Sequence, residues 1–277
     1  TPCQTCLSHS FSTLPMANKI SHGQDAFGNH RNYWSLPTPH NTLQVTATSV
    51  LETGLLPTAQ TDALSAFAAS LTWEQTQRAF AFQAGHANDE ATPFAYASHH
   101  APIDIAFKRY AQSSFTPGRN LLDAVRDLMH RIHTEFKYES LSTDISTPAL
   151  TVLADKRGVC QDFAHVMLAC LRSMGLAARY VSGYLLTEPP PGQPRLIGSD
   201  ASHAWVSLRV PGAETDGLTE SWYDFDPTNH REGWSSPGTD YVRLAIGRDF
   251  ADVSPLRGVL QGGENHTLQV HVTVEPL

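Results

Sequence analysis

The clearest hydrophobic pattern in the chain lies between residues 120 and 136. Leu121, Val125, Leu128, Ile132 and Phe136 recur at helical spacing, so one face of a helix is apolar along its length. Pro117-Gly118 punctuates the chain just before it. A second helix is expected from about Cys160 to Met174, where Phe163, Val166, Met167, Cys170 and Met174 share a face. Gly175 then stands at the C′ position, where a left-handed residue commonly closes a helix. Segment Gln60–Gln83 reads as another helical stretch, with modest capping signals.

Period-two patterns mark the strands. Leu43–Leu51 sets Leu43, Val45 and Ala47 against Gln44, Thr46 and Thr48, as a half-buried strand would. Further strands are expected at Ala178–Leu186, His203–Val210, Ser221–Asp226 and Thr267–Val274. In the last, Leu268, Val270, Val272 and Val274 alternate with polar residues. Asp25-Ala-Phe-Gly-Asn29 and Ser35–His40 read as turns, and His86–Ala101, polar and rich in Ala and His, as a link. From Ile103 onward the texture is helical, and no internal repeat is visible. The expectation is an α+β core over residues 101–277, preceded by a β-rich N-terminal domain over residues 1–100.

Composition narrows the class. Hydrophobic residues at 41% and charged residues at 17% of 277 suit a globular protein rather than a disordered chain. Lys and Arg number 19 against 27 Asp and Glu, a formal charge of −8, which argues against a binder that tracks nucleic-acid phosphates. No apolar run approaches the roughly 18 residues of a membrane span. No P-loop, opening dinucleotide fingerprint, EF-hand loop or H-E-x-x-H pattern is present, so nucleotide, calcium-loop and zincin readings lack support. The chain begins at Thr1 without a visible signal peptide, and a cytoplasmic setting is the default expectation.

The distinctive resource is 14 His beside four Cys. Cys3-x-x-Cys6 has no second pair to complete a zinc site and reads as a chance pair at a mobile terminus. Cys160 opens a helix, where backbone N–H groups and the helix dipole favour the nucleophilic thiolate. Cys170 falls among Met167, Leu171 and Met174 and reads as a small core residue. A nucleophilic thiol needs a base, and the base an orienting group. In Ser202-His203-Ala204-Trp205-Val206-Ser207-Leu208, Ala204, Val206 and Leu208 face one way and His203 with Trp205 the other. His203 could therefore reach a helix end, or sit on a solvated strand face. Trp205 could wall a cleft or simply pack. Asp226 closes a strand ahead of Pro227 and could hold an imidazole tautomer, with Asp224 and Asp200 as rivals. His165 lies about 140° around the helix from Cys160, too far to share its side. His130 and His133 are spaced to share a metal, but no third ligand stands beside them in sequence.

Taken together, several stretches resemble the transglutaminase-like superfamily, in particular its bacterial members of cysteine-protease type. They are Gly158-Val159-Cys160-Gln161-Asp162-Phe163-Ala164-His165, Ala178–Leu185, Ser202-His203-Ala204-Trp205-Val206 and Asp224-Phe225-Asp226-Pro227-Thr228-Asn229. Gly247–Pro255 and Gly262–Thr267 fit as well, and Asp25–Asn29 with the strand at Leu43 extends the likeness more weakly into the first domain. The resemblance implies a papain-like core with Cys160 as nucleophile, His203 as general base and Asp226 as orienting carboxylate. It implies thiol-dependent acyl transfer at amide bonds, with hydrolysis of a peptide or isopeptide bond first. Transfer of a Gln acyl group to an amine is the alternative, and a non-catalytic peptide-binding module a third reading. No cofactor and no metal are expected. The expected partner is a peptide or protein substrate, with an amine as co-substrate in the transfer alternative, and neither nucleic acid nor membrane. Two departures from the family pattern are expected: a missing first strand in the N-terminal domain, and a short insertion at Glu214–Glu220. Loops Glu188–Ser199 and Pro211–Glu220 are the candidates to line the cleft, and Pro189-Pro190-Pro191-Gly192 reads as a stiff loop, a cleft wall ahead of a plain surface connection.

Overall fold

The structure is a computed structural model that describes residues 2–81, 84, 89–140, 142–186, 202–212, 221–262 and 266–277. The chain opens with β1 (Gln4–Leu14), β2 (Ile20–Gln24), β3 (His30–Trp34) and β4 (Gln44–Thr53). β1 pairs antiparallel with β4 from Gln4↔Thr53 to Leu14↔Gln44, and β2 pairs with β3. The alternation seen in the sequence leaves Val45, Val50 and Leu51 half-buried on β4. Cys3 and Cys6 are not at a loose terminus. Cys3 is buried, with its Sγ 4.0 Å from the Trp234 carbonyl, and Cys6 lies within β1.

The helical stretch expected at Gln60–Gln83 divides into α1 (Thr58–Ala69) and α2 (Trp73–Ala79). Thr72 makes the break by capping α2: its hydroxyl accepts from Gln75 N, and the Gln75 side chain accepts from Thr72 N. Residues 82–83 fall outside the described residues. Of the segment expected as a link, residues 89–101 are described, and part of it packs inward. Ala91 and Phe94 are buried against Trp222 and Phe80, and Ala101 joins the main core.

The second half contains α3 (Ile105–Gln112), α4 (Leu121–Glu135), β5 (Lys137–Tyr138), α5 (Ala149–Asp155), β6 (Arg157–Gly158) and α6 (Cys160–Ser173). These are followed by β7 (Ala178–Leu185), β8 (Ser202–Arg209), β9 (Trp222–Asp226), β10 (Arg231–Trp234), β11 (Tyr241–Gly247) and α7 (Phe250–Val253). The stripe on α4 is the buried one: Leu121, Val125, Leu128 and Ile132 are inaccessible to solvent. Asn120 caps that helix by accepting from Asp123 N, and its amide donates to the carbonyls of Ala68 and Leu71, which ties α4 to the end of α1.

β7 to β11 form one sheet in the order β10-β9-β8-β7-β11, every pair antiparallel. This is the expected α+β, papain-like arrangement of helices on an antiparallel sheet. α6 is the central helix and is buried on nearly every side, not on one face alone, because the sheet covers one flank while α3, α4 and α5 cover the others. Its buried Arg172 donates to the carbonyls of Phe94 and Ala178 and to the Ser98 hydroxyl. Gly175 ends the helix at φ +77°, and Leu176 N reaches back to Leu171 O as in a Schellman closure.

The N-terminal segments dock on the outer edge of β11. The Gln4 amide accepts from Arg243 N and donates to Arg243 O, both at 2.8 Å, beside a register shift in the β7–β11 ladder. The Asn29 amide does the same at Ile246, at 2.8 and 2.7 Å. Asp25 braces Asn29 by accepting from Asn29 N and its side-chain amide, and Gly28 takes φ +80° within that turn. Two side-chain amides thus stand in for a neighbouring strand and blunt the edge. The strand expected at Thr267–Val274 does not form. Val272 makes a single bridge there, while Leu268 and Val270 stay exposed. Alternation supplies an apolar face, but a strand also needs a partner strand, and none is paired with this segment among the described residues.

Candidate active site

The candidate nucleophile occupies the first turn of α6. β6 leads into it, and Asp162 fastens the turn: its Oδ2 accepts from Val159 N at 2.9 Å and from the Thr143 hydroxyl at 2.6 Å. Gly158 lets that carboxylate come close, since a Cβ there would lie 2.6 Å from Asp162 Oδ2. Cys160 is consequently half-buried at a helix start, where first-turn N–H groups have no partner within the helix. Its Sγ lies 3.9 Å from the carbonyl of Ser202, the residue preceding His203 on β8.

His203 and Asp226 come from adjacent strands. The His203 ring is buried, and its Nε2 lies 2.7 Å from Asp226 Oδ2. With Nε2 engaged by the carboxylate, Nδ1 is the nitrogen left for the thiol. Burial alone would lower the imidazole pKa. The bonds to Asp226 and Cys160, with the charges of both, outweigh it and raise the value to about 10.

Asp226 is fully buried and held from several sides. Oδ2 also accepts from Tyr241 Oη at 2.7 Å and Asn229 Nδ2 at 2.8 Å, and Oδ1 accepts from the backbone N–H of Thr228 and Asn229. Burial would raise its pKa, but the His203, Tyr241 and Asn229 contacts hold it below the ordinary carboxylate value. The turn that carries it is gripped from α4, where His133 Nδ1 donates to Thr228 O at 3.0 Å.

The rival carboxylate does other work. Asp224 accepts from Trp205 Nε1 at 2.9 Å and from the Ser207 hydroxyl, and its own pKa is raised by burial. Asp200 and the loop segments Glu188–Ser199 and 213–220, including Pro189–Gly192 and the Glu214–Glu220 insertion, lie outside the described residues. Trp205 is packing: it is 1% exposed, fills the space over Gly183 and stacks beneath His203 with ring centroids 6.2 Å apart.

Cys170 and His165 are buried away from the Cys160 thiol. Cys170 is wholly buried, and burial raises its pKa. His165 accepts from Phe250 N and stacks between His100 and Tyr180, and burial lowers its pKa to about 3. Sequence spacing left His130 and His133 without a third imidazole, yet His230 packs on both, with ring centroids 5.1 and 5.2 Å away. Among the described residues, no group of three or more His, Cys, Asp or Glu is arranged to hold a metal ion. Nor is any helix among them long and apolar enough to cross a membrane.

A thiol at the start of a buried central helix, facing an imidazole and a carboxylate on the neighbouring antiparallel sheet, is the layout of the papain-like thiol folds. The chain belongs to the transglutaminase-like superfamily, which it matches over residues 108–227, the span holding Cys160, His203 and Asp226. Residues 1–52 match the bacterial transglutaminase-like N-terminal region. An uncharacterised protein of Mycobacterium tuberculosis is 40% identical over 274 residues, covering 99% of this chain and 82% of its own. A Mycobacterium leprae protein is 30% identical over 277 residues, covering 99% and 88%. Among solved structures, a candidate cysteine protease from Cytophaga hutchinsonii superposes with a TM-score of 0.61 at 21% identity, over 92% of this chain and 74% of its own, which establishes the shared fold.

Sequence reasoning missed the second carboxylate-binding layer. Asn229 lies inside a recognised motif but carried no assigned role. Tyr241 offers no local signal at all, because it reaches Asp226 across the intervening strands of the sheet.

Proposed function

We propose that the protein is a thiol-dependent amide hydrolase acting on a peptide or isopeptide bond, with Cys160 as nucleophile, His203 as acid and base, and Asp226 as the orienting carboxylate. The observation that carries this reading is the buried 2.7 Å His203–Asp226 contact placed behind a half-buried thiol at a helix start. A His203 pKa near 10 favours an imidazolium at neutral pH, a cation beside the candidate nucleophile.

The thiolate adds to the amide carbonyl carbon, and the Cys160 backbone N–H faces the developing oxyanion. His203 Nδ1–H passes its proton to the leaving nitrogen as the C–N bond breaks, leaving a thioester and an amine. Neutral His203 then takes a proton from water, hydroxide adds to the thioester, and the C–S bond breaks to release the carboxylic acid and return the Cys160 thiolate beside the His203 imidazolium. Asp226 stays ionised throughout and keeps Nε2–H directed at itself.

An amine in place of that water would give the transglutaminase outcome. Incubation with a Gln-containing peptide and a labelled primary amine separates the two. New carboxylates or new peptide termini in excess over incorporated amine are expected. Incorporation exceeding hydrolysis would overturn the hydrolase assignment, and neither product from the wild type with any of a range of peptides would leave the binding-module reading in its place.

A further inference from the structure

Resting on that reading of the Cys160, His203 and Asp226 site, we propose that Tyr241 is a positioning residue for the triad, setting the basicity of His203 by donating its phenolic proton to Asp226 Oδ2.

The geometry is unusually well fixed. Tyr241 opens β11, yet its hydroxyl lies 2.7 Å from the same oxygen that holds His203 Nε2 at 2.7 Å. β9, which carries Asp226, is separated from β11 by β8 and β7, so the side chain crosses the end of the sheet. Gly183 on β7 makes this crossing possible. A Cβ there would lie 2.2 Å from Val242 O and 2.5 Å from the Trp205 ring. Trp205 therefore settles over the glycine, and Tyr241 packs edge-on against it at 5.4 Å and 84°.

The opposite side is closed by Arg231. Arg231 pairs with Asp226 in the β9–β10 ladder, sets its guanidinium 4.7 Å from the Tyr241 ring centre, and is itself pinned by both oxygens of Asp240. Asp240 immediately precedes Tyr241. The aromatic ring thus sits between the Trp205 indole and the Arg231 guanidinium.

Burial and the Asp226 charge both raise the phenol pKa, so Tyr241 remains a neutral donor wherever the triad operates. A carboxylate oxygen that shares its charge with a phenol and an amide pulls less strongly on the imidazolium than one bonded to histidine alone. Tyr241 and Asn229 together temper Asp226. This layer keeps His203 able to release its proton to a leaving group while holding the ring in place.

The test uses iodoacetamide, which reads the thiolate without any knowledge of the natural substrate. The rate of Cys160 alkylation is measured against pH in the full-length wild-type protein and in Tyr241→Phe, with thermal unfolding recorded in parallel. A paired site gives a thiolate plateau at neutral pH and a second inflection when the imidazolium loses its proton. Tyr241→Phe is expected to move that upper inflection upward by on the order of one pH unit, the effect of removing one hydrogen bond to a charged group. Asn229→Ala, which removes the other side-chain donor, is expected to shift it in the same direction. An upper inflection unmoved in Tyr241→Phe, with the wild-type plateau intact, overturns the proposal and leaves the assignment of the site standing. A wild-type profile with no plateau, the ordinary titration of an isolated thiol, overturns both.

Discussion

Replacing Asp226 with Asn tests the electrostatic core of the site. The imidazolium of His203 is favoured by the difference between an ordinary pKa of 6.5 and a value of about 10. That gap corresponds to about 5 kcal/mol of preference for the protonated ring. Among the causes that raise the value, the bond to Asp226 ranks first and the contact with Cys160 second. If half of the preference comes from the carboxylate, its neutralisation lowers the equilibrium constant for the thiolate–imidazolium pair over the neutral pair by a factor on the order of fifty. The amide would also turn an NH2 group or a single oxygen toward donors from His203, Tyr241 and Asn229, so the tautomer of His203 is no longer fixed. The assay is alkylation by iodoacetamide near pH 6.5, followed on the Cys160 peptide by mass spectrometry, with exposed Cys6 as an internal reference. Asp226→Asn is expected to slow Cys160 by up to that factor and leave Cys6 unchanged. An undiminished rate at Cys160 in a folded variant would refute the coupling.

Three further outcomes follow from the same contacts. Asp224→Asn is expected to lower stability by about 1–3 kcal/mol, because Trp205 and Ser207 lose a charged buried acceptor, while Cys160 alkylation keeps its wild-type rate. Gly158→Ala places a Cβ 2.6 Å from Asp162 Oδ2, so the carboxylate must leave Val159 N; a loss of about 1–3 kcal/mol in chemical denaturation and slower alkylation are expected together. His165 is held neutral, with a folded pKa of about 3 against an ordinary 6.5. The unfolded chain therefore binds the extra proton as pH falls from 6.5 towards 3, and stability should drop through that window by roughly 1.4 kcal/mol per pH unit. Denaturation midpoints measured across the window check the slope, which should flatten in His165→Gln.

Much of this was legible from local pattern. The buried stripe of α4, the start of α6 at Cys160 and the placement of His203 at the start of β8 all depend on residues close in sequence. So does the burial of Cys170. What the sequence hides is whatever depends on partners far along the chain. Asp224 and Asp226 sit two apart on one strand and look alike in pattern; only Trp205 beside one and Tyr241 beside the other decide their roles. Thr267–Val274 has strand periodicity, but whether a strand forms depends on a partner strand elsewhere in the chain, which periodicity does not show. The break between α1 and α2 lay in a capping box at Thr72 whose strength only the backbone geometry displays.

The central claim is that Cys160 carries acyl groups. Its most direct test is the reaction with p-nitrophenyl acetate, stopped in acid and analysed by peptide mass spectrometry. A burst of p-nitrophenol of about one equivalent per protein is expected, with the acetyl group on Cys160, slowed by His203→Ala and absent in Cys160→Ala. Ester cleavage that proceeds at the wild-type rate in Cys160→Ala, with no adduct on Cys160 in the wild type, would contradict the claim.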